Sequence, residues 1–239
     1  MEIRNSNKSI FRHWGADLIA LLFPNLCNAC GNSLFRNESL ICTKCLYDLP
    51  YTDYHIHADN RVAKQLWGRL PLNAAMAMLY FRKGAKVQNL IHNLKYNSKT
   101  DVGLMLGNLL GARLNSSPLY KNIDLIIPVP LHQKKQRLRG YNQSVFIVQG
   151  IAEKMDVPFS EDTLIRTIST ESQTKKSRYN RYENMKQVFE VQNKEAIKNK
   201  YILLVDDVIT TGATLEACAN VLLQNGAAML SIAALAFAE

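Results

Sequence analysis

The stretch LLVDDVITTGATL, residues 203–215, constrains the fold more than any other part of the chain. An unbroken apolar run passes into Asp206 and Asp207. It continues into the turn Thr210, Thr211, Gly212, Ala213 and Thr214, then into an apolar helical pattern. A strand with no polar alternation is buried on both faces, which places it inside a parallel sheet covered by helices. Ligands of such sheets sit beyond the carboxyl ends of the strands, where the two aspartates fall. Carboxylates there accept hydrogen bonds from sugar hydroxyls, and a Thr/Gly turn opening a helix offers hydroxyl and N–H donors that cradle a phosphate. The plainer alternative is that the same residues only cap the helix. No G-K-[ST] and no G-x-G-x-x-G follows, so the nucleotide-hydrolysis and dinucleotide signatures are both absent.

The rest of the chain fits an α/β reading. Strands are expected over 75–81, 123–129, 187–191, 201–207 and 229–237, and helices over 85–94, 102–114 with Asp101 as cap, and 144–155. Residues 130–143 read as a basic loop. Upstream, Phe11, Trp14, Leu18, Ile19 and Leu22 recur at helical spacing before Pro24. The start is polar, and the apolar run 16–23 is far shorter than the roughly 20 residues of a spanning helix, so a cytoplasmic protein without a transmembrane segment is expected. With 29 lysines and arginines against 20 acidic residues, the formal charge of +9 suits an anionic partner: nucleic acid, a polyphosphate or an anionic membrane surface.

Cys27, Cys30, Cys42 and Cys45 form two C-x-x-C pairs separated by eleven residues. Two such pairs turn four thiolates toward one point, the closed tetrahedral shell of structural zinc, and such a site leaves no position for catalytic water. Paired disulfides need an oxidising compartment that nothing in the sequence supports. His55 and His57 are expected in a solvated loop, and Cys218 as a buried thiol without chemistry. The expected organisation is an N-terminal helix, zinc-ribbon-like module and linker over 1–60, followed by a larger α/β domain over 61–239.

The string at 203–215 closely resembles the motif by which type I phosphoribosyltransferases bind phosphoribosyl pyrophosphate (PRPP). The resemblance implies a parallel sheet with flanking helices, ribose contacts at Asp206 and Asp207 (the expected catalytic pair), and a phosphate loop over Thr210, Thr211, Gly212, Ala213 and Thr214. The order of zinc pairs, LKY, PVPLH, RGYNQ and VDDVITTGATL resembles the ComF family across nearly the whole chain. By that resemblance the loop at Pro130, Leu131 and His132, with Lys134, Lys135, Arg137 and Arg139, contacts pyrophosphate. Fixed cations and bound Mg2+ stabilise the charge of departing pyrophosphate. The segment with Gln173, Lys175 and Arg178 resembles the flexible loop that closes over PRPP. Its cations and tyrosines also suit a single-stranded DNA groove. Family membership implies a part in DNA uptake during natural transformation, with proteins of the uptake machinery as partners. The other reading is a metabolic phosphoribosyltransferase that passes the phosphoribosyl group to a nucleobase or amine. The enzyme class expected is a glycosyltransferase acting on PRPP, with retention of catalysis left open.

Overall fold

A computed structural model describes residues 23–167 and 188–238 and divides the chain into two units, 1–49 and 50–239. The expected helix around Phe11 to Leu22 and the expected flexible loop with Gln173, Lys175 and Arg178 lie outside the described residues.

In the first unit, a bridge between Leu26 and Ser33 closes a tight turn in which Gly31 takes φ +78°. The short helix α1, Thr43–Tyr47, follows, capped by the Cys42 side chain. Among the described residues of this unit the buried side chains are Cys27, Ala29, Ile41, Cys45 and Leu49. Around so few apolar side chains, residues 23–49 are stabilised best by a cross-link.

The second unit opens on residues 50–60, which the sequence reading grouped with the first module. They run beside the first strand instead. The Thr52 hydroxyl donates to Ala77 O at 2.5 Å, Tyr80 N donates to Pro50 O at 2.9 Å, and Asn60 Nδ2 donates to Ala75 O at 2.8 Å. Asn60 also caps α2, Arg61–Leu66, by accepting from Ala63 N at 3.0 Å.

Then come β1 (Ala74–Phe81), α3 (Lys86–Tyr96), α4 (Thr100–Ser116) and β2 (Leu125–Pro128). They are followed by α5 (Gln133–Arg139), α6 (Gln143–Met155), β3 (Leu164–Arg166) and β4 (Phe189–Val191), and finally β5 (Tyr201–Ile209), α7 (Ala213–Gln224) and β6 (Met229–Ala238). The main sheet has the order β1-β6-β5-β2, and every pair in it is parallel. Its apolar runs are buried as a two-sided sheet requires: Ile202 to Val205 and Ile232 to Ala236 have no exposed surface.

Three sequence expectations are corrected. The basic stretch after β2 is not all loop, because residues 133–139 form α5, ended by Gly140 at φ +82°. Strand β4 leaves the main sheet and pairs antiparallel with β3. Asp101 lies in the first turn of α4, where a carboxylate complements the helix dipole, but the cap position is Lys99.

Helices α4 and α6 pack almost backbone to backbone. A Cβ on Gly107 would collide with the Ile147 carbonyl oxygen, and one on Gly150 with that of Leu104. This close crossing brings the start of α6, and the motif leading into it, down onto the sheet edge.

Candidate functional site

The site is built where β5 runs past the end of β2. Pro128 pairs with Val205, so Asp206 and Asp207 continue beyond the neighbouring strand. Asp207 is buried, with 6% of its side chain exposed, and both of its carboxylate oxygens have partners. Lys95 Nζ from the last turn of α3 lies 3.0 Å from Oδ1 and 2.9 Å from Oδ2. Gln143 Nε2, at the first position of α6, donates to Oδ2 at 2.7 Å. Burial of a carboxylate is tolerated when a cation and neutral donors satisfy it together.

The network continues outward. Arg139 donates to Gln143 Oε1 at 2.8 Å and to the Tyr96 hydroxyl at 3.3 Å, and its guanidinium lies 4.9 Å from the Tyr96 ring centre. The Tyr141 hydroxyl donates to Leu94 O. Asn142 donates to Val129 O at 3.0 Å and caps α6 through Ser144 N at 3.2 Å. The strings LKY and RGYNQ are thus two halves of one brace on Asp207.

Asp206 has weaker partners. Ser144 Oγ lies 3.4 Å from Oδ1, and the same oxygen accepts the Asp207 N–H at 2.8 Å. Burial, and then the neighbouring Asp207 charge, push the Asp206 carboxyl up to about 7. The two acids therefore differ in character: one is paired with a cation, and the other holds its proton to near neutrality.

Beyond them the Thr/Gly turn is held open from outside. Gln65 Nε2 on α2 donates to Thr210 O at 2.6 Å, and Arg69 donates to Thr211 O at 3.2 Å while pairing with Glu216 on α7. Gly212 takes φ +75°, and a Cβ there would lie 2.8 Å from Leu66 Cδ2. With the turn's carbonyls drawn toward α2, the first N–H groups of α7, which have no intrahelical acceptors, are donors at its tip, that of Ala213 reaching Thr211 Oγ1 at 3.4 Å. Thr210, Thr211 and Thr214 are exposed there, and Ala213 is partly covered.

Of the expected basic residues, only Arg139 joins the aspartate brace. His132 caps α5 by accepting from Lys134 N at 3.1 Å, with Leu131 half-buried before it. Lys134, Lys135 and Arg137 stay exposed on α5, none of whose residues is buried. Lys95, Gln65 and Arg69 received no role in the sequence reading. Only Lys95 left a trace there, inside the quoted LKY.

In the first unit the sulfurs of Cys27, Cys30, Cys42 and Cys45 all lie within 4.8 Å of one another, and none is in a disulfide. Cys30 and Cys42 sulfurs are 3.9 Å apart, against the roughly 3.8 Å that Zn–S bonds of about 2.3 Å impose in a tetrahedron. Burial opposes ionisation of Cys27, but the N–H groups of Cys42, Cys30 and Ala29 outweigh it and bring the thiol down to about 7. Four convergent sulfurs of this kind can hold a metal ion. His57, expected in solvated loop, is exposed and pairs with Asp53 at 3.3 Å. His55 departs from that expectation: it is half-buried, and burial lowers its pKa. Cys218 is buried, and burial pushes its thiol well up. Among the described residues, no helix is long and apolar enough to cross a membrane.

Comparison with known proteins gives a consistent set of likenesses. Residues 142–239 match the family described as the phosphoribosyl transferase domain. A DNA utilization protein YhgH of Shigella flexneri is 28% identical over 224 residues, covering 92% of this chain and 89% of its own length. Competence protein F of Haemophilus influenzae is 31% identical over 151 residues, 62% of this chain and 66% of that protein. Competence protein ComFC of Bacillus subtilis is 36% identical over 104 residues, 44% and 40% of the two chains.

Proposed function

From the chain's place among the ComF-type proteins, with a phosphoribosyl transferase domain over residues 142–239, we propose that it is a cytoplasmic PRPP-binding protein of DNA uptake. The observation that carries this reading is the braced aspartate pair running directly into the Gly212 turn. Asp206 and Asp207 take the ribose hydroxyls. Thr210, Thr211, Gly212, Ala213 and Thr214 hold the 5'-phosphate on the first turn of α7. The loop at Leu131 and His132, with Lys134, Arg137 and Arg139, takes the pyrophosphate, and Gln173, Lys175 and Arg178 add contacts to PRPP. Mg2+ bound with the pyrophosphate supplies Lewis-acid charge. The four cysteines hold structural Zn2+.

The donor side supports phosphoribosyl transfer as the activity. As the C1–pyrophosphate bond opens, cationic character grows on the ribose. In this reading Asp206 and Asp207 hold the ring in place through its hydroxyls while that charge develops. The exposed cations of α5 also suit single-stranded DNA, reached through partners in the uptake machinery.

The test is calorimetric titration of PRPP with Mg2+ into the wild type and into an Asp206→Ala, Asp207→Ala double variant. Saturable binding that the variant loses is expected, and a wild type that does not bind overturns the reading. In parallel, single-stranded DNA affinity should fall steeply with salt, as release of counterions requires.

A further inference from the structure

Helices α3 and α5 meet at a surface of one electrostatic sign. Neither contains an acidic residue: α3 reads KVQNLIHNLKY and α5 reads QKKQRLR. Where they meet, three side chains lie in a row. The His92 ring is 5.0 Å from the ring of Tyr96, and the Arg139 guanidinium is 4.9 Å from that same Tyr96 ring. His92 is exposed, and Tyr96 keeps 58% of its surface. Arg139 ends α5, and the other cations of that helix lead away from the row. Lys134, Lys135 and Arg137 are exposed, and among the described residues no carboxylate pairs with them.

Rings beside unpaired cations are what a single-strand groove uses, because bases stack on the rings while phosphates pair with the cations. A duplex keeps its bases inside and offers such a surface only phosphates. The row is also joined to the ribose site. Arg139 donates both to the Tyr96 hydroxyl at 3.3 Å and to Gln143 Oε1 at 2.8 Å, and Gln143 donates to Asp207 at 2.7 Å. Helix α5 has seven residues and is therefore about 10 Å long. Its Lys134, Arg137 and Arg139 are the cations that the proposed function gives to pyrophosphate. So short a row of charges cannot neutralise a DNA strand and PRPP together, and a pyrophosphate that takes Arg139 draws it from Tyr96.

We infer that His92, Tyr96 and Arg139 seat single-stranded DNA, and that PRPP and the strand exclude one another through Arg139, so that PRPP releases bound DNA. This rests on the reading of PRPP and single-stranded DNA as the two ligands, and adds the place where they compete. The exclusion is reciprocal by linkage: each ligand weakens the other by the same factor.

The experiment measures both directions on the full chain. A labelled oligothymidylate of about twelve nucleotides is titrated by fluorescence anisotropy at fixed ionic strength, with and without saturating PRPP and Mg2+. Calorimetric PRPP affinity is measured with and without the saturating oligonucleotide. Each ligand should weaken the other about tenfold. His92→Ala should weaken the oligonucleotide about tenfold, as loss of one stacked base implies, while PRPP affinity stays within about twofold. The ring is exposed, so this variant should keep the wild-type melting temperature. Arg139→Gln should weaken both ligands and shrink the factor between them. Oligonucleotide affinity indifferent to bound PRPP, no oligonucleotide binding while PRPP binds, a duplex of equal length bound as tightly, or unchanged affinity in His92→Ala each overturns the inference. Failure of PRPP itself to bind overturns the donor reading and the exclusion with it.

Discussion

Asp207 and Lys95 are 112 residues apart in sequence and 2.9 Å apart in space, and the energetics of the site turn on them. Replacing Lys95 by Met leaves a nearly buried carboxylate with Gln143 as its only side-chain donor among the described residues. The expected loss is about 2 kcal/mol in urea unfolding. That is less than for a fully buried pair, because Lys95 keeps some exposure and Gln143 stays in place. Adding Asp207→Asn to Lys95→Met should recover part of the loss, a non-additivity that a double-mutant cycle measures. Asp206 makes the opposite kind of prediction. Its folded carboxyl holds a proton up to about 7, while the unfolded chain releases it near the ordinary value of 3.8. The folded state therefore binds more protons between those values. This contribution is complete below the unfolded value and is lost as pH rises through about 7. Asp206→Asn should flatten the fall in stability between pH 5 and 8, read from urea midpoints at the two pH values. The sequence exposed both aspartates, since an apolar strand ending in acids is a local pattern. It gave no role to Lys95, because a single lysine ending a helix looks like any solvated one.

Among the elements, the α4–α6 crossing and the α2 grip on the phosphate turn decide the geometry. Gly107→Ala drives a methyl group into the Ile147 carbonyl, which cannot move without moving α6. A loss of about 3 kcal/mol or more is expected, at the upper end of overpacking costs. Gly103→Ala, whose new Cβ meets the Leu94 side chain at 2.8 Å, should cost less because a side chain can turn aside. Thermal unfolding of the pair measures the difference. Gly212→Ala combines positive φ with a contact on Leu66, so it should destabilise by about 1–2 kcal/mol and lower PRPP affinity in calorimetry. The long apolar strands were legible in sequence. Helix α5 was not, because GlnLysLysGlnArgLeuArg carries no apolar stripe and buries nothing, so periodicity had nothing to detect. Strand β3 spans three residues, too short for any period to register, and although β4 falls within the expected strand 187–191, its pairing with β3 was hidden for that reason. The hold of α2 on the turn was equally hidden, since Gln65 and Arg69 act through carbonyl oxygens that any residue at 210 or 211 would provide.

At the scale of the whole molecule, two units solve the problem of stability differently. The second buries four parallel strands, while the described residues of the first have a handful of buried side chains around its sulfurs. One metal ion per chain is therefore expected by elemental analysis, with Cys45→Ser abolishing it and opening residues 23–49 to proteolysis. The two C-x-x-C pairs were plain from spacing alone. The division at 49/50 was not, because residues 50–60 are polar and irregular and reveal their place only through hydrogen bonds to β1. The strand order has one more result, for synthesis. Strand β1 pairs with no strand of the main sheet except β6, whose residues are made about 150 positions later. While the ribosome translates the intervening segments, Ala74 to Leu79 must wait with residues 50–60 on one edge and no strand of the main sheet on the other. A nascent chain stalled before residue 229 should accordingly stay bound to chaperone, and one stalled after residue 238 has cleared the tunnel should let go.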